Sequence, residues 1–295
     1  MDQEVGETDS RLISSREARD ALVKQFEFPE TLEINGRKVE VVDIRPESPK
    51  TEIPVVVAPG WVATPEVFRN NILALAQAGR RVISVKSYHG IETDKVEGYP
   101  DAELRKMAAL VRTLEEKGIE KVDAVGHSEA GAYLTITATL FPERFRNIVL
   151  ANPVGMIGKD NIASLSLRFS SDLADEIVNS FKDKSRIKQI LKSFLVAGKV
   201  IASNPLQAIR QGIAISGTQI QEQLRALKEK GIGISIIHAG KDRVLPMDRV
   251  QKVAKKEQFH GFYSVAGTHS QIYLEPSKYS SAVDAALTAL ERRKK

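Results

Sequence analysis

Val122-Asp123-Ala124-Val125-Gly126-His127-Ser128-Glu129-Ala130-Gly131 is an apolar run that meets a turn of small residues around one serine and then continues as a helical pattern. The residues before Gly126 read as a strand, and the segment after Ser128 keeps a helical period to about Phe141-Pro142. A serine held between a strand end and a helix start sits on a sharp turn, so the residues two positions to either side must keep their side chains out of the way. Gly126 meets that need on one side; Ala130, followed by Gly131, stands on the other.

Upstream of this stretch the short β-branched runs are Leu32–Ile34, Val39–Ile44, Ile53–Val57 and Val82–Val85, and downstream comes Ile148–Ala151. They alternate with longer helical segments, the pattern of βα units that build a mostly parallel sheet. Val55, Val56 and Val57 are continuously apolar, as a central strand buried on both faces requires. The first two runs read as a hairpin edge. Thr64 can cap a helix with Pro65 at its first position and Gly79 at its close, and a second helix spans about Pro100 to Lys117.

From about Gly155 to Gly231 the strand runs vanish, and apolar residues such as Ile187, Ile190, Leu191, Phe194 and Leu195, then Ile220, Leu224 and Leu227, fall at helical spacing. The alternation resumes with Ile234–Ala239, a helix near Met247–Lys255, Phe259–Val265 and a last helix from about Pro276 to Arg293. The expected organisation is a polar N-terminal tail over residues 1–30, an α/β core over 31–154 and 232–295, and an inserted helical lid over 155–231.

Composition removes several classes of function. The 295 residues contain no cysteine, so there is no disulfide frame, thiolate nucleophile or Cys-ligated metal site. No apolar run reaches the roughly 18–20 residues needed to cross a bilayer, and residues 1–30 lack a basic-then-apolar leader; a cytoplasmic location is expected. The net charge of +5 comes from 43 basic and 38 acidic residues interspersed along the chain. With no basic patch interleaved with aromatics, no His finger and no phosphate-cradling Gly-rich loop, nucleic acid is not an expected partner.

The strand, the small-His-Ser-acid-small turn and the helix resemble the nucleophile elbow of the α/β hydrolases. A serine hydroxyl is a poor nucleophile at neutral pH and needs a base, which in turn needs a partner to fix its tautomer. The resemblance implies the chain order nucleophile, acid, histidine. In His238-Ala239-Gly240-Lys241-Asp242, Asp242 stands just beyond a strand, where that family keeps its acid; its other reading is a turn-forming Asp. In Gly267-Thr268-His269, His269 stands in the loop beyond the last strand, where the family keeps its base. Of the five histidines, His89, His127, His238 and His260 read as structural. The loop after Ile148–Ala151 reads Asn152-Pro153 and offers no carboxylate.

A tetrahedral intermediate needs two backbone N–H donors near the serine. The resemblance implies Glu129, directly after Ser128, for one. For the other, Ala58-Pro59-Gly60-Trp61-Val62 resembles the family's His-Gly-aromatic turn, with Pro59 in place of the histidine, and implies Trp61. The Glu129 side chain has three readings: facing the reacting carbonyl, pointing toward the lid to pair with an Arg or Lys, or selecting a substrate of positive character.

In the lid block, Leu165, Leu167, Phe169, Phe181, Phe194, Leu195 and Ile201 either pack on the core or offer apolar surface to an acyl group. Lys182, Lys184, Arg186, Lys188 and Lys192 read as solvated, with anionic lipid headgroups as the other reading. Taken together, the resemblance implies an α/β-hydrolase fold of about eight strands with a helical lid, no metal or organic cofactor, and hydrolysis of a small carboxylic ester through an acyl-enzyme on Ser128. Acyl transfer, carbon–carbon bond hydrolysis and a non-catalytic ligand-binding role are the alternatives; oligomeric state is left open.

Overall fold

In the computed structural model, which describes residues 16–86, 89–158, 162–180 and 184–293, the eight β-branched runs become strands of one sheet. β1 (Glu30–Ile34) and β2 (Arg37–Ile44) form the expected hairpin. Its turn residues, Asn35 and Gly36, both take positive φ, as the tight turn that matches strand twist requires. β3 (Val55–Ala58), β4 (Val82–Lys86), β5 (Val122–His127), β6 (Phe145–Ala151), β7 (Gly233–Ala239) and β8 (Gly261–Val265) follow, in the sheet order β1-β2-β4-β3-β5-β6-β7-β8. β2 runs antiparallel to β4, and the strands from β4 to β8 are mutually parallel.

Two apolar layers sandwich the sheet. On one face α3 (Asp101–Glu116), α4 (Ala130–Leu140) and α9 (Met247–Glu257) bury Leu110, Leu134 and Val250 with Val56 and Ala124. On the other, α2 (Arg69–Gln77) and α11 (Pro276–Arg292) bury Ile72, Leu75 and Leu287 with Val55 and Val57. Alternate residues of β3 thus enter opposite cores, which is why a parallel strand reads as an unbroken apolar run. A fully buried Arg80 ties the two ends of this second layer together, donating to Asp284 (2.5 Å), Glu291 (2.8 Å) and Thr288 (3.0 Å) of α11.

The structure departs from the expected organisation in four places. Residues 16–27, placed in a polar tail, form helix α1, and Leu22 and Phe26, four residues apart on one face, are buried in the second core layer; residues 1–15 lie outside the described residues. The helix expected from Thr64 begins at Arg69: the Thr64 carbonyl accepts from the N–H groups of Val67 and Phe68 in a separate turn, anchored by buried Phe68.

The inserted block holds α5 (Ile162–Ser180), α6 (Lys184–Ser203), α7 (Pro205–Gly217) and α8 (Gln221–Glu229). Its neck closes earlier than residue 231, where the N–H of Ile220 donates to the carbonyl of Gly155 (3.2 Å), and Leu224 and Leu227 carry α8 into the first core layer. Leu165 packs on the core, but Leu167, Phe169, Phe194, Leu195 and Ile201 are exposed, contrary to the reading that they pack there; Phe181 and Lys182, and the Lys184 side chain, lie outside the described residues.

Candidate active site

The sheet order reverses around β3, which pairs with β4 on one side and β5 on the other, and ligands of open α/β sheets bind at such a point beyond the strand C-termini. Register places Ala58 beside Gly126, so the loop after β3 and the turn after β5 leave the sheet side by side. Their approach is close: a Cβ on Gly60 would lie 2.9 Å from the His127 carbonyl and 3.1 Å from the Ser128 Cβ, which restricts the position to glycine. Likewise a Cβ on Gly126 would meet Leu134 at 2.7 Å, whereas the methyl of Ala130 is accommodated, fully buried, at the start of α4.

Ser128 takes φ 54°, a left-handed conformation that a non-glycine residue adopts only where its surroundings impose it. Val62, in the facing loop, takes φ 49°, a still less favourable state for a β-branched side chain. Backbone strain is therefore concentrated on both walls of the crevice.

Three residues that are far apart in the chain meet here. The Ser128 Oγ lies 3.0 Å from His269 Nε2, and His269 Nδ1 lies 2.8 Å from Asp242 Oδ2. Asp242 can only accept from Nδ1–H, which leaves Nε2 as the acceptor for the serine hydroxyl. The other Asp242 oxygen accepts from the backbone N–H of Leu245 at 2.8 Å, fixing the carboxylate plane. Burial alone would push the His269 imidazole down, but the Asp242 carboxylate, with Asp172 adding to it, holds it above its ordinary value. Burial raises Asp242 in turn, and the facing His269 outweighs it, leaving the acid below the usual carboxylate range.

Trp61 and Glu129 flank this row. The backbone N–H of Glu129 heads α4, among the groups without an intrahelical acceptor. Of the three readings of its side chain, pairing with a cation is right about the partner's charge and wrong about its place: the carboxylate is fully buried and joined in the core to Lys106 of α3, not to a residue of the lid. Glu103, also fully buried, is pushed well above the ordinary glutamate value by burial and by the Glu129 carboxylate beside it.

Three of the remaining histidines hold the backbone or pack beside the row. His127 packs its ring 5.1 Å from that of His269 and reaches the His269 carbonyl from Nε2 at 3.2 Å; burial drives it down to about 3, so it stays neutral. His238 Nε2 donates to the Leu245 carbonyl, and His260 Nδ1 accepts from the Ile234 N–H.

Several supporting residues escaped the sequence reading. Asn152, fully buried at φ 47°, donates to the His269 carbonyl at 3.0 Å and accepts from Ala239 N–H at 2.8 Å, joining the ends of β6, β7 and the histidine loop. Asp172 and Glu176 of α5 are both buried: Asp172 accepts from the Arg243 backbone N–H and sits against that of His269, and Glu176 accepts from Thr268 Oγ1 at 2.5 Å. Arg168 donates to the Val244 carbonyl and Arg243 to Ser171. This polar face of α5 recurs at three- and four-residue spacing, where an apolar stripe would signal burial, and it clamps the loops that carry Asp242 and His269. Asp172→Asn is expected to lower the pH at which His269 protonates, followed by the imidazole C–H resonance in NMR; an unmoved titration would restrict Asp172 to its backbone contacts. Among the described residues no group of three or more His, Asp or Glu side chains is arranged to hold a metal.

Comparison with known proteins agrees with this architecture. A protein of Mycobacterium phage D29 named as a non-heme haloperoxidase is 24% identical over 255 residues, covering 83% of this chain and 91% of its own. A bromoperoxidase structure from Bacillus anthracis superposes with a TM-score of 0.65 at 20% identity, over 88% of this chain and all of its own. A carboxylesterase structure from Nitrososphaera gargenis does so with a TM-score of 0.67 at 17% identity, over 90% of this chain and all of its own. The family model of the alpha/beta hydrolase fold matches residues 53–219, more than half of the chain, and with the sheet order and crevice described above the protein belongs to the alpha/beta hydrolase fold family.

Proposed function

We propose that the protein is a serine hydrolase of small carboxylic esters, lipid-like or short-chain, acting through an acyl-enzyme on Ser128. The observation that carries this reading is the continuous hydrogen-bonded row Ser128 Oγ, His269 Nε2 and Nδ1, Asp242, at 3.0 and 2.8 Å. Ser128 Oγ attacks the ester carbonyl carbon as its proton passes to His269 Nε2. The imidazolium that forms faces Asp242, with Asp172 nearby, so positive charge appears where two carboxylates already hold the ring. The carbonyl oxygen, now an oxyanion, accepts from the N–H groups of Trp61 and Glu129. With the Glu129 carboxylate paired to Lys106 inside the core, its charge is turned away from that oxyanion.

Collapse of the tetrahedral intermediate breaks the bond to the alkoxy oxygen, which takes the proton from His269 and leaves as alcohol. Water then gives a proton to His269 as it attacks the acyl carbon, and collapse of this second intermediate breaks the bond to Ser128 Oγ, which takes that proton back as the acid is released. Helices α5 to α7 form the lid in this reading, with α5 holding the acid and histidine loops.

A second reading shares the first half of this sequence. Two of the similar proteins carry peroxidase names, and an acyl-enzyme can pass its acyl group to hydrogen peroxide in place of water, giving a peracid. Labelling with a fluorophosphonate tests the shared step: stoichiometric modification is expected on the peptide containing Ser128, and an unlabelled protein would leave a non-catalytic ligand binder as the better description.

A further inference from the structure

The outer faces of α6 and α7 are built the wrong way round for water. In α7, Leu206, Ile209 and Ile213 recur at three- and four-residue spacing and are 59%, 57% and 57% exposed, while Gln207, Gln211 and Ser216 are buried. In α6, Leu191, Phe194 and Leu195 are exposed on the side that also presents Lys188, Lys192 and Lys199. Among the described residues, large exposed apolar side chains lie almost wholly on α5 to α7; the exception is Phe28. A single domain rarely leaves so many large apolar side chains exposed on neighbouring helices.

Charge selects the partner. Residues 186–217 present Lys188, Lys192, Lys199 and Arg210 as exposed cations and contain no acidic residue; Arg186 is paired with Glu275. In α5, Asp172 and Glu176 are turned inward to the histidine loop. A second copy of the chain would bring cations against cations over this face, and an apolar protein partner would leave the lysines unmatched. An anionic lipid surface satisfies both properties, taking aliphatic side chains below the headgroups and ammonium groups among them. No helix among the described residues is long and apolar enough to cross a membrane, which fits helices lying in the interface.

We propose that α6 and α7 dock the protein, by their outer faces, on anionic phospholipid membranes. None of the residues of the proposed hydrolase reaction lies on α6 or α7, so the two readings stand or fall separately. The test is co-sedimentation of the full chain with vesicles of phosphatidylcholine alone or mixed with phosphatidylglycerol. Binding to the mixed vesicles only is expected, weakening as salt is raised. Lys188→Glu/Lys192→Glu/Lys199→Glu should bind about a hundredfold more weakly or worse. Leu206→Ser/Ile209→Ser/Ile213→Ser should also lose binding, with both variants melting like the parent. Ser128→Ala should bind as the parent does. Failure of the parent to bind the anionic vesicles, or equal binding by both triple variants, overturns the proposal. So does a dimer that the aliphatic triple variant abolishes, which would assign the face to a second copy.

Discussion

Replacing Ser128 by alanine is expected to lower kcat for an aryl ester about ten-thousandfold to a millionfold, with kcat/KM falling in parallel. The parallel fall is the informative part. The Ser128 hydroxyl is proposed to bond to substrate only as the carbonyl becomes tetrahedral, so its loss removes a transition-state interaction and leaves ground-state binding unchanged. Residual activity would come from the N–H groups proposed for the oxyanion, those of Trp61 and Glu129, acting on water's attack. Stability should change little, because alanine can adopt the same left-handed backbone as the serine it replaces and its methyl fits where the Ser128 Cβ already lies. A screen of aryl esters of graded acyl length, run on both proteins, reads the effect and the acyl preference together. Retention of most of the activity by the variant would remove Ser128 from the nucleophile's role.

The parts of this architecture that show in the sequence are those whose physics is local. β3 and β5 are covered on both faces, so they stand out as apolar runs, and the turn between β5 and α4 needs small residues whatever lies around it. β6 reads short in the sequence, from Ile148, because Arg146 and Asn147 interrupt it after Phe145: Arg146 pairs with Asp123 of the neighbouring strand, a contact that apolar periodicity does not register. The same reasoning fails on the insertion. α5 buries carboxylates at the spacing reserved for leucines, and α7 buries glutamines while exposing isoleucines, so the helical period predicts the helices and inverts their faces. Asp172 meets Arg243 across 71 residues of chain, and no local signal marks either as the other's partner. Glu129 has no local signal for a related reason: its cation lies on α3, 23 residues upstream, and nothing in the turn marks Lys106 as its partner.

That buried pairing leads to the largest expected effect on stability. Lys106→Met should destabilise the fold by about 3–5 kcal/mol, because it leaves the fully buried Glu129 carboxylate without its cation. Thermal denaturation would register it as a drop of roughly 10 °C in Tm. Glu103→Gln should behave in the opposite way. Two carboxylates can share a hydrogen bond only through a proton, and Glu103, pushed upward by burial and by Glu129, holds it. In the unfolded chain Glu103 is ionised above its ordinary value, so at neutral pH and beyond folding must take up a proton, and stability from this group declines as pH rises. Glutamine supplies the donor with no proton uptake. The variant should therefore match the parent near about pH 5 and melt higher near about pH 9. An equal loss of Tm at both values would show that Glu103 enters the core as a carboxylate, and that Lys106 balances two negative charges in place of one.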